Sequence, residues 1–209
     1  MDATETAQMK KDLRAQMRAQ RNALDAAART AMDAAIAANV QALPEWESAE
    51  LVCPYLSFGT EVDTRELIAA AWEAGKQVAL PRCIPGTREM AWYRVDSLEG
   101  LVRSKFGVDE PAEDPSREVF PCEPATADRA LVLVPGFAFD SQGFRLGYGG
   151  GFYDVFLARY AGAAVGLCRS CFYDAVELVR GEFDLPVRLV ATDGGIVRIQ
   201  PLDVASSAD

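Results

Sequence analysis

Histidine is absent from the 209 residues, and that one absence removes a Ser-His-Asp triad, a Cys-His pair and every histidine-ligated metal site. Acid-base work, where the chemistry needs any, falls to carboxylates, Lys, Tyr or Cys. No apolar run approaches the length of a membrane span, and the opening residues MDATETAQMKKDL lack the apolar core of a secretory signal. Cysteine is sparse: the five residues Cys53, Cys83, Cys122, Cys168 and Cys171 are an odd number with no evident disulfide framework, which points to a reducing cytoplasm. Cys168 and Cys171 have CxxC spacing, but no second pair or histidine completes a zinc set, so buried free thiols are the reading. Positive charge is short as well, with 21 Lys and Arg against 31 Asp and Glu, a net −10. Nucleic acids and anionic membranes demand clustered positive surface. The expected partners are therefore small molecules, bound by a monomer, and an anionic ligand would need a local basic pocket. Repeats, long linkers and low-complexity tracts are missing too, so residues 1–209 read as a single domain.

What is present is organised around Arg145 to Asp154, RLGYGGGFYD. Gly147, Gly149, Gly150 and Gly151 follow the apolar run Leu131 to Val134 and precede the helix-compatible segment DVFLARY. Glycines permit positive φ and close approach to the backbone, so successive amide N–H groups can converge on an anion. Arg145 opens the loop with a permanent cation and Asp154 closes it with a carboxylate able to hold magnesium, the set that a nucleoside triphosphate needs. The alternative is an ordinary glycine-rich turn, with Asp154 favourable to a helix dipole. The two standard fingerprints do not fit: a dinucleotide loop starting at Gly147 would need glycine where Phe152 stands, and the Gly75-Lys76 pair is followed by Gln77, not the Ser or Thr of a Walker A loop.

The first forty residues read as helix. Leu24, Ala28, Met32, Ile36 and Val40 recur every four positions as an apolar stripe, and Lys10, Arg14 and Arg18 share a face by the same spacing. That basic stripe is solvated, or Lys10 and Arg14 reach across to phosphates held by the glycine loop. Leu51 to Phe58 reads as a strand interrupted at Pro54, and Asp63 to Glu66 has capping-box spacing before a helix stopped at Gly75. Glu61 lies in the loop between them, exposed or, where open α/β sheets place ligand-binding groups, functional. Gln77 to Pro81, Met90 to Val95, Leu131 to Val134, Ala163 to Cys168 and Leu189 to Ile199 read as further strands, the last broken at Gly194-Gly195. Residues 100 to 128 read as irregular, and Ala175 to Arg180 as a short helix. Alternating helices and strands predict a three-layer α/β/α domain with a mostly parallel open sheet and two N-terminal helices.

Together these stretches resemble the 5-formyltetrahydrofolate cyclo-ligase family, also called 5,10-methenyltetrahydrofolate synthetase. The resemblance covers nearly the whole chain. It rests on Lys10-x-x-x-Arg14, the run Tyr55 to Thr64, the Gly107 to Pro111 turn, Val134-Pro135-Gly136 leading to Phe139-Asp140, and above all RLGYGGGFYD. It implies an ATP- and magnesium-dependent enzyme that phosphorylates the formyl oxygen of 5-formyltetrahydrofolate and closes the ring to 5,10-methenyltetrahydrofolate, releasing ADP and phosphate. Lys10 and Arg14 would contact ATP, Arg145 with Leu146, Gly147, Tyr148, Gly149, Gly150, Gly151, Phe152 and Tyr153 would hold its phosphates, and Asp154 would bind magnesium. Arg145 and Tyr153 would be catalytic, while Leu56, Glu61 and Phe106 would hold the folate. Phe183-Asp184 and Arg188 stand where family members often carry His-Asp and a further Asp, which leaves the second magnesium ligand open between water, Asp184, Asp193 and none. A folate binder without catalysis, or another phosphate-ligand protein such as a sugar-phosphate isomerase or CoA transferase, would share the architecture.

Overall fold

The computed structural model describes residues 3–200. The chain opens with α1 (Ala3–Ala23) and α2 (Ala26–Gln41), separated at Asp25, whose carboxylate accepts from the Ala28 amide and caps α2. A short α3 (Pro44–Ser48) leads to β1 (Leu51–Cys53), and α4 (Arg65–Glu73) leads to β2 (Gln77–Cys83) and β3 (Met90–Arg94). The following stretch is not wholly irregular. It forms a ribbon, β4 (Val102–Arg103) with β5 (Asp109–Glu110), then β6 (Glu118–Val119) and α5 (Pro124–Ala127). Next come β7 (Ala130–Val134), the hairpin β8 (Ala138–Phe139) with β9 (Arg145–Leu146), α6 (Phe152–Leu157) and β10 (Ala163–Leu167). β11 (Leu189–Thr192) and β12 (Gly195–Arg198) close the described chain as an antiparallel hairpin, so the last apolar stretch is two strands.

The main sheet has eight strands in the order β12-β11-β10-β7-β1-β2-β3-β6. From β11 to β2 every pairing is parallel, and antiparallel strands sit at both edges. β7, ALVLV, is buried at every position, as a central parallel strand covered on both faces must be. Its side chains alternate: Leu131 and Leu133 join α2, α3 and α4 in one core, while Val132 and Val134 join α1 and α6 in the other. The three-layer arrangement follows from that alternation. Chain order reverses between β1 and β7, and there the carboxyl ends of both strands open a cleft.

Several local expectations give way to tertiary contacts. β1 stops at Cys53, because Pro54 has no amide to offer the ladder. Residues 54–64 form a loop knit to itself: Thr64 Oγ1 donates to the Tyr55 carbonyl at 2.6 Å, and Tyr55 Oη donates to the Val62 carbonyl at 3.0 Å. The N-cap of α4 is Thr64 rather than Asp63, with the Asp63 carboxylate accepting from the Arg65 amide at 3.0 Å. Ala175 to Arg180 is not helical; the segment bends and continues without regular structure, and Arg180 reaches back to Asp140 at 2.8 Å. The helix after the glycine loop begins and ends earlier than DVFLARY, at Phe152 and Leu157. Cys53 and Cys168 are buried thiols, but Cys171 is exposed.

A buried ion pair fastens the 54–64 loop. Arg169, essentially inaccessible, donates from Nε and Nη2 to the two Asp33 carboxylate oxygens at 2.8 Å each. It also donates to the carbonyls of Thr60 at 3.0 Å and Glu61 at 2.9 Å. The fork thus ties α2, the Glu61 loop and the segment after β10 together. Replacing Arg169 by Met leaves the Asp33 carboxylate unpaired in a half-buried position, and is expected to cost roughly 3 kcal/mol of unfolding free energy. A urea denaturation would read this as a lower midpoint at unchanged slope, with part recovered in an R169M/D33A double variant; an unchanged midpoint would mean that the clamp adds no net stability.

Candidate active site

The cleft measures about 460 Å³ and is lined by Lys10, Arg14, Leu56, Glu61, Phe106 and every residue from Arg145 to Asp154. The residues assigned to ATP, to the folate and to the first magnesium ligand therefore line one cavity. Tyr55, Phe58, Cys83, Met90, Glu110 and Asp184 complete much of its wall. Of these, Asp184 is legible as one of several candidates, whereas the β2 and β3 residues carry no signal in sequence.

One end of the cleft is glycine-rich and cationic. The loop 147–151 does not spring straight from the central strand β7; the β8–β9 hairpin stands between and delivers it. Gly149 at φ +99° and Gly151 at φ +73° hold conformations that side chains rarely adopt. A Cβ at Gly149 would also lie 3.3 Å from the Arg14 guanidinium carbon, so α1 packs directly on the loop. Arg14 Nε donates to the Gly147 carbonyl at 2.7 Å. The inward row of α1 runs Lys10, Arg14, Met17, Arg21, not through Arg18, which is exposed. A spacing of four drifts off the face, and 3.6 residues per turn brings position 17 and then 21 inward.

Two ion pairs line this end. Arg145 Nη2 donates to Asp154 Oδ1 at 2.7 Å, and Arg145 Nη1 to the Leu185 carbonyl at 2.9 Å. The Leu185 amide faces the same Asp154 oxygen at 3.3 Å. Lys10 Nζ donates to Asp184 Oδ2, which also accepts from the Gly181 amide at 2.7 Å. Both pairs are largely shielded, so their fields are weakly screened. Asp193 is elsewhere, bound by the Ser170 amide at 2.6 Å and hydroxyl at 2.8 Å, and Arg188 is exposed and no part of the wall. Arg188 therefore brings no cation into the cleft, and Asp184 is the second carboxylate there.

The other end is apolar and closes on a carboxylate. Leu56 is 7% and Glu61 8% exposed, so Glu61 is not a solvated loop residue. Its Oε2 accepts from the Phe58 amide at 2.9 Å. Burial pushes Glu61 up to about 7, against the pull of the Phe58 amide, the Tyr148 hydroxyl and the Arg21 charge. Phe106, at the tip of the β4–β5 ribbon, meets the Phe152 ring edge-on at 5.6 Å, and Phe58 meets Tyr148 at 5.7 Å, so aromatic rings flank the slot. Tyr153 Oη is buried without a partner, in a wall otherwise satisfied. Burial also raises the Tyr153 phenol far above its ordinary value, so it is a donor, not a base. Burial with Glu110 as neighbour pushes the Cys83 thiol up to about 12.

Among the described residues no group of three or more Cys, Asp or Glu side chains is placed to hold a metal by itself, and no helix is long and apolar enough to cross a membrane. The donor set nonetheless fits magnesium, a hard cation usually held by one or two carboxylates together with phosphate oxygens and water. The cationic end of the cleft presents two such carboxylates, Asp154 and Asp184.

Fold and cleft define the class: an open, mostly parallel α/β protein with an enzyme-like cleft at the switch point of its sheet, cationic at one end and apolar with a buried carboxylate at the other. The pattern of the 5-formyltetrahydrofolate cyclo-ligase family matches residues 6–175. A probable 5-formyltetrahydrofolate cyclo-ligase of Schizosaccharomyces pombe is 40% identical over 128 residues, 60% of this chain and 60% of that protein. The 5-formyltetrahydrofolate cyclo-ligase of Escherichia coli is 34% identical over 161 residues, 75% of this chain and 85% of that one. A solved 5,10-methenyltetrahydrofolate synthetase of Aquifex aeolicus superposes with a TM-score of 0.74 at 29% identity, covering 96% of this chain and 100% of the other. The chain belongs to the 5-formyltetrahydrofolate cyclo-ligase family of enzymes.

The raised Glu61 value has a consequence for stability. Its folded value lies above the ordinary carboxylate value, so the native state holds this proton more tightly than the unfolded chain. Native stability contributed by the neutral acid is present at low pH and lost as pH rises toward and through about 7. Between about pH 5 and pH 8, the wild type should lose roughly 3 kcal/mol more unfolding free energy than E61Q. Parallel pH-stability curves for the two proteins would show that Glu61 is not held out of water in this way.

Proposed function

We propose that the chain converts 5-formyltetrahydrofolate to 5,10-methenyltetrahydrofolate using ATP and magnesium. The observation that carries this reading is the joining, in one cleft, of a glycine loop with three cations and two carboxylates to an apolar slot ending in Glu61. Family membership and the names of the relatives point to the same substrate and product. The loop amides with Lys10, Arg14 and Arg145 would take the triphosphate, and Leu56, Phe106 and Glu61 the folate ring, whose N–H donors a carboxylate accepts in pairs. Magnesium, held by Asp154 and Asp184, would neutralise phosphate charge during transfer.

The formyl carbon is a poor electrophile, and its oxygen a poor leaving group, until that oxygen is phosphorylated. Its attack on the γ-phosphorus forms an O–P bond as the bond to ADP breaks. N10 then adds to the activated carbon, closing the ring and giving up its proton, and phosphate departs with the former formyl oxygen. Positioning and charge neutralisation supply most of the catalysis in such a transfer, which suits a chain without histidine. Arg145 and Lys10 are paired with Asp154 and Asp184. An entering triphosphate with its metal offers each group a partner of the opposite sign, so the exchange leaves no buried charge bare. The buried Tyr153 hydroxyl has an unused donor for an oxygen at the reacting centre.

The test is growth of the methenyl-folate absorbance from 5-formyltetrahydrofolate with and without ATP. R145A and D154A are expected to remain folded by circular dichroism and to lose about 10²–10³ in ATP-dependent kcat/KM, while D184N raises the magnesium concentration needed for half-maximal rate. Wild-type rates in R145A and D154A would overturn the reading.

A further inference from the structure

Arg88 meets the glycine loop from a part of the chain that the sequence does not mark. It lies in the turn between β2 and β3, whose last ladder pair, Cys83 with Met90, stands in the wall of the cleft. Hydrogen bonds close that turn on itself. The Ile84 amide donates to the Glu89 carbonyl at 3.0 Å, and Thr87 Oγ1 donates to the Ile84 carbonyl at 3.0 Å and accepts from the Glu89 amide at 3.0 Å. Gly86 turns the chain at φ +80°. The backbone on both sides of Arg88 is thus pinned, while its side chain is exposed and, among the described residues, has no hydrogen-bond or ion-pair partner. That side chain reaches the loop: a Cβ at Gly151 would lie 3.6 Å from Arg88 Cδ and 3.9 Å from Arg88 Nη1. The neighbouring Glu89 meets Arg159, just past the far end of α6, at 3.6 Å, so the turn lies along α6 from Gly151 onward.

The other cations at this end of the cleft are engaged. Lys10 and Arg145 are each paired with a carboxylate, and Arg14 Nε donates to the Gly147 carbonyl. Set against Asp154 and Asp184, these three leave a single positive charge, whereas a triphosphate that has taken up one magnesium ion keeps more than one negative charge. We propose that Arg88 supplies the missing charge as a further binding group for the triphosphate, closing on the phosphates from the β2–β3 turn while α1 brings Lys10 and Arg14. A guanidinium offers phosphate two parallel donors, and one without a partner gives up no ion pair on binding. An exposed arginine is ordinarily just solvated. What sets Arg88 apart is its place against a glycine of the loop, where the absent side chain leaves guanidinium and loop backbone in contact. The proposal rests on the reading of the loop as the triphosphate site.

The experiment is calorimetric titration of MgATP into wild type, R88K, R88Q, R88E, R94Q and R145A, followed by steady-state kinetics with 5-formyltetrahydrofolate. R94Q makes the same charge change at an exposed position at the other end of β3. The dissociation constant for MgATP should rise in the order R88K, R88Q, R88E, with R88Q about fivefold or more above wild type and R94Q level with wild type. The KM for ATP should follow the same order, and the KM for folate should not move. Thermal melting should be unchanged across the Arg88 series, because the side chain holds no other part of the fold. MgATP binding by R88Q as tight as that of wild type, a shift in R94Q equal to that in R88Q, or a rise in the folate KM in place of the ATP KM would overturn the proposal. Wild-type MgATP binding by R145A is a separate result, which would remove the loop as the triphosphate site. Weakened binding in R145A with R88Q unaffected would remove Arg88 alone.

Discussion

The glycine loop cannot hold its own shape. Between β9 and α6 its backbone groups have few partners in regular structure, and two of its glycines sit at positive φ. What fixes it is α1, whose inward row ties Arg14 to the Gly147 carbonyl and Arg21 to the Gly136 and Phe137 carbonyls and the Tyr148 hydroxyl. Met17, wholly buried between those arginines, supplies the apolar contact that seats the helix. The first helix is thus both a layer of the fold and one wall of the site. Its cations satisfy carbonyls and leave the loop amides free, the orientation an anion site requires.

Charge in the cleft is arranged locally against the sign of the whole. A chain of net −10 concentrates Lys10, Arg14, Arg145 and Arg21 about one loop and balances two of them with Asp154 and Asp184. Balanced pairs at low exposure have fixed geometry and a modest desolvation debt. Cations alone would repel one another and leave the loop unfolded around its ligand. The pairing also keeps the site's field short-ranged, which fits a protein that selects one small anion rather than attracting polyanions.

Legibility in the sequence followed how local each cause is. The central strands were readable because double-sided burial makes them uniformly apolar, and β7 stands as a five-residue run with no polar interruption. The glycine loop was readable because its spacing carries chemistry in itself, whereas Lys10, Arg14 and Glu61 were marked by the resemblance to a family; all of them line the cleft. A strict spacing of four groups Lys10 and Arg14 with the exposed Arg18, whereas the buried row continues through Met17 and Arg21. Arg21 and Arg169 could not be picked out, since an arginine looks solvated until tertiary structure buries it. The supposed helix at 175–180 and the strand through Pro54 failed for the same reason: Arg180 pairing with Asp140 and the self-bonded 54–64 loop are contacts between distant or folded-back segments, which local propensity does not encode.

The two ends of the cleft meet in Tyr148. Its backbone belongs to the glycine loop that α1 fixes, while its side chain meets the rings of Phe58 and Phe137 toward the apolar end. Glu61 is held from the far side by Arg169, and that arginine is anchored through Asp33 to α2. A packed path therefore runs from α2 through the apolar end of the cleft to the glycine loop and α1, with no hinge glycine inside the 60–64 or 136–146 contacts except Gly136 and Gly143, both tightly packed. In the proposed reaction the formyl oxygen must meet a phosphorus within bonding reach, and a misplacement of about 1 Å costs on the order of a hundredfold in rate. Holding both binding ends on one braced frame meets that demand without requiring the protein to close. The separation between the two substrates is then set by packing, and the substitutions that matter most for rate include residues that touch neither.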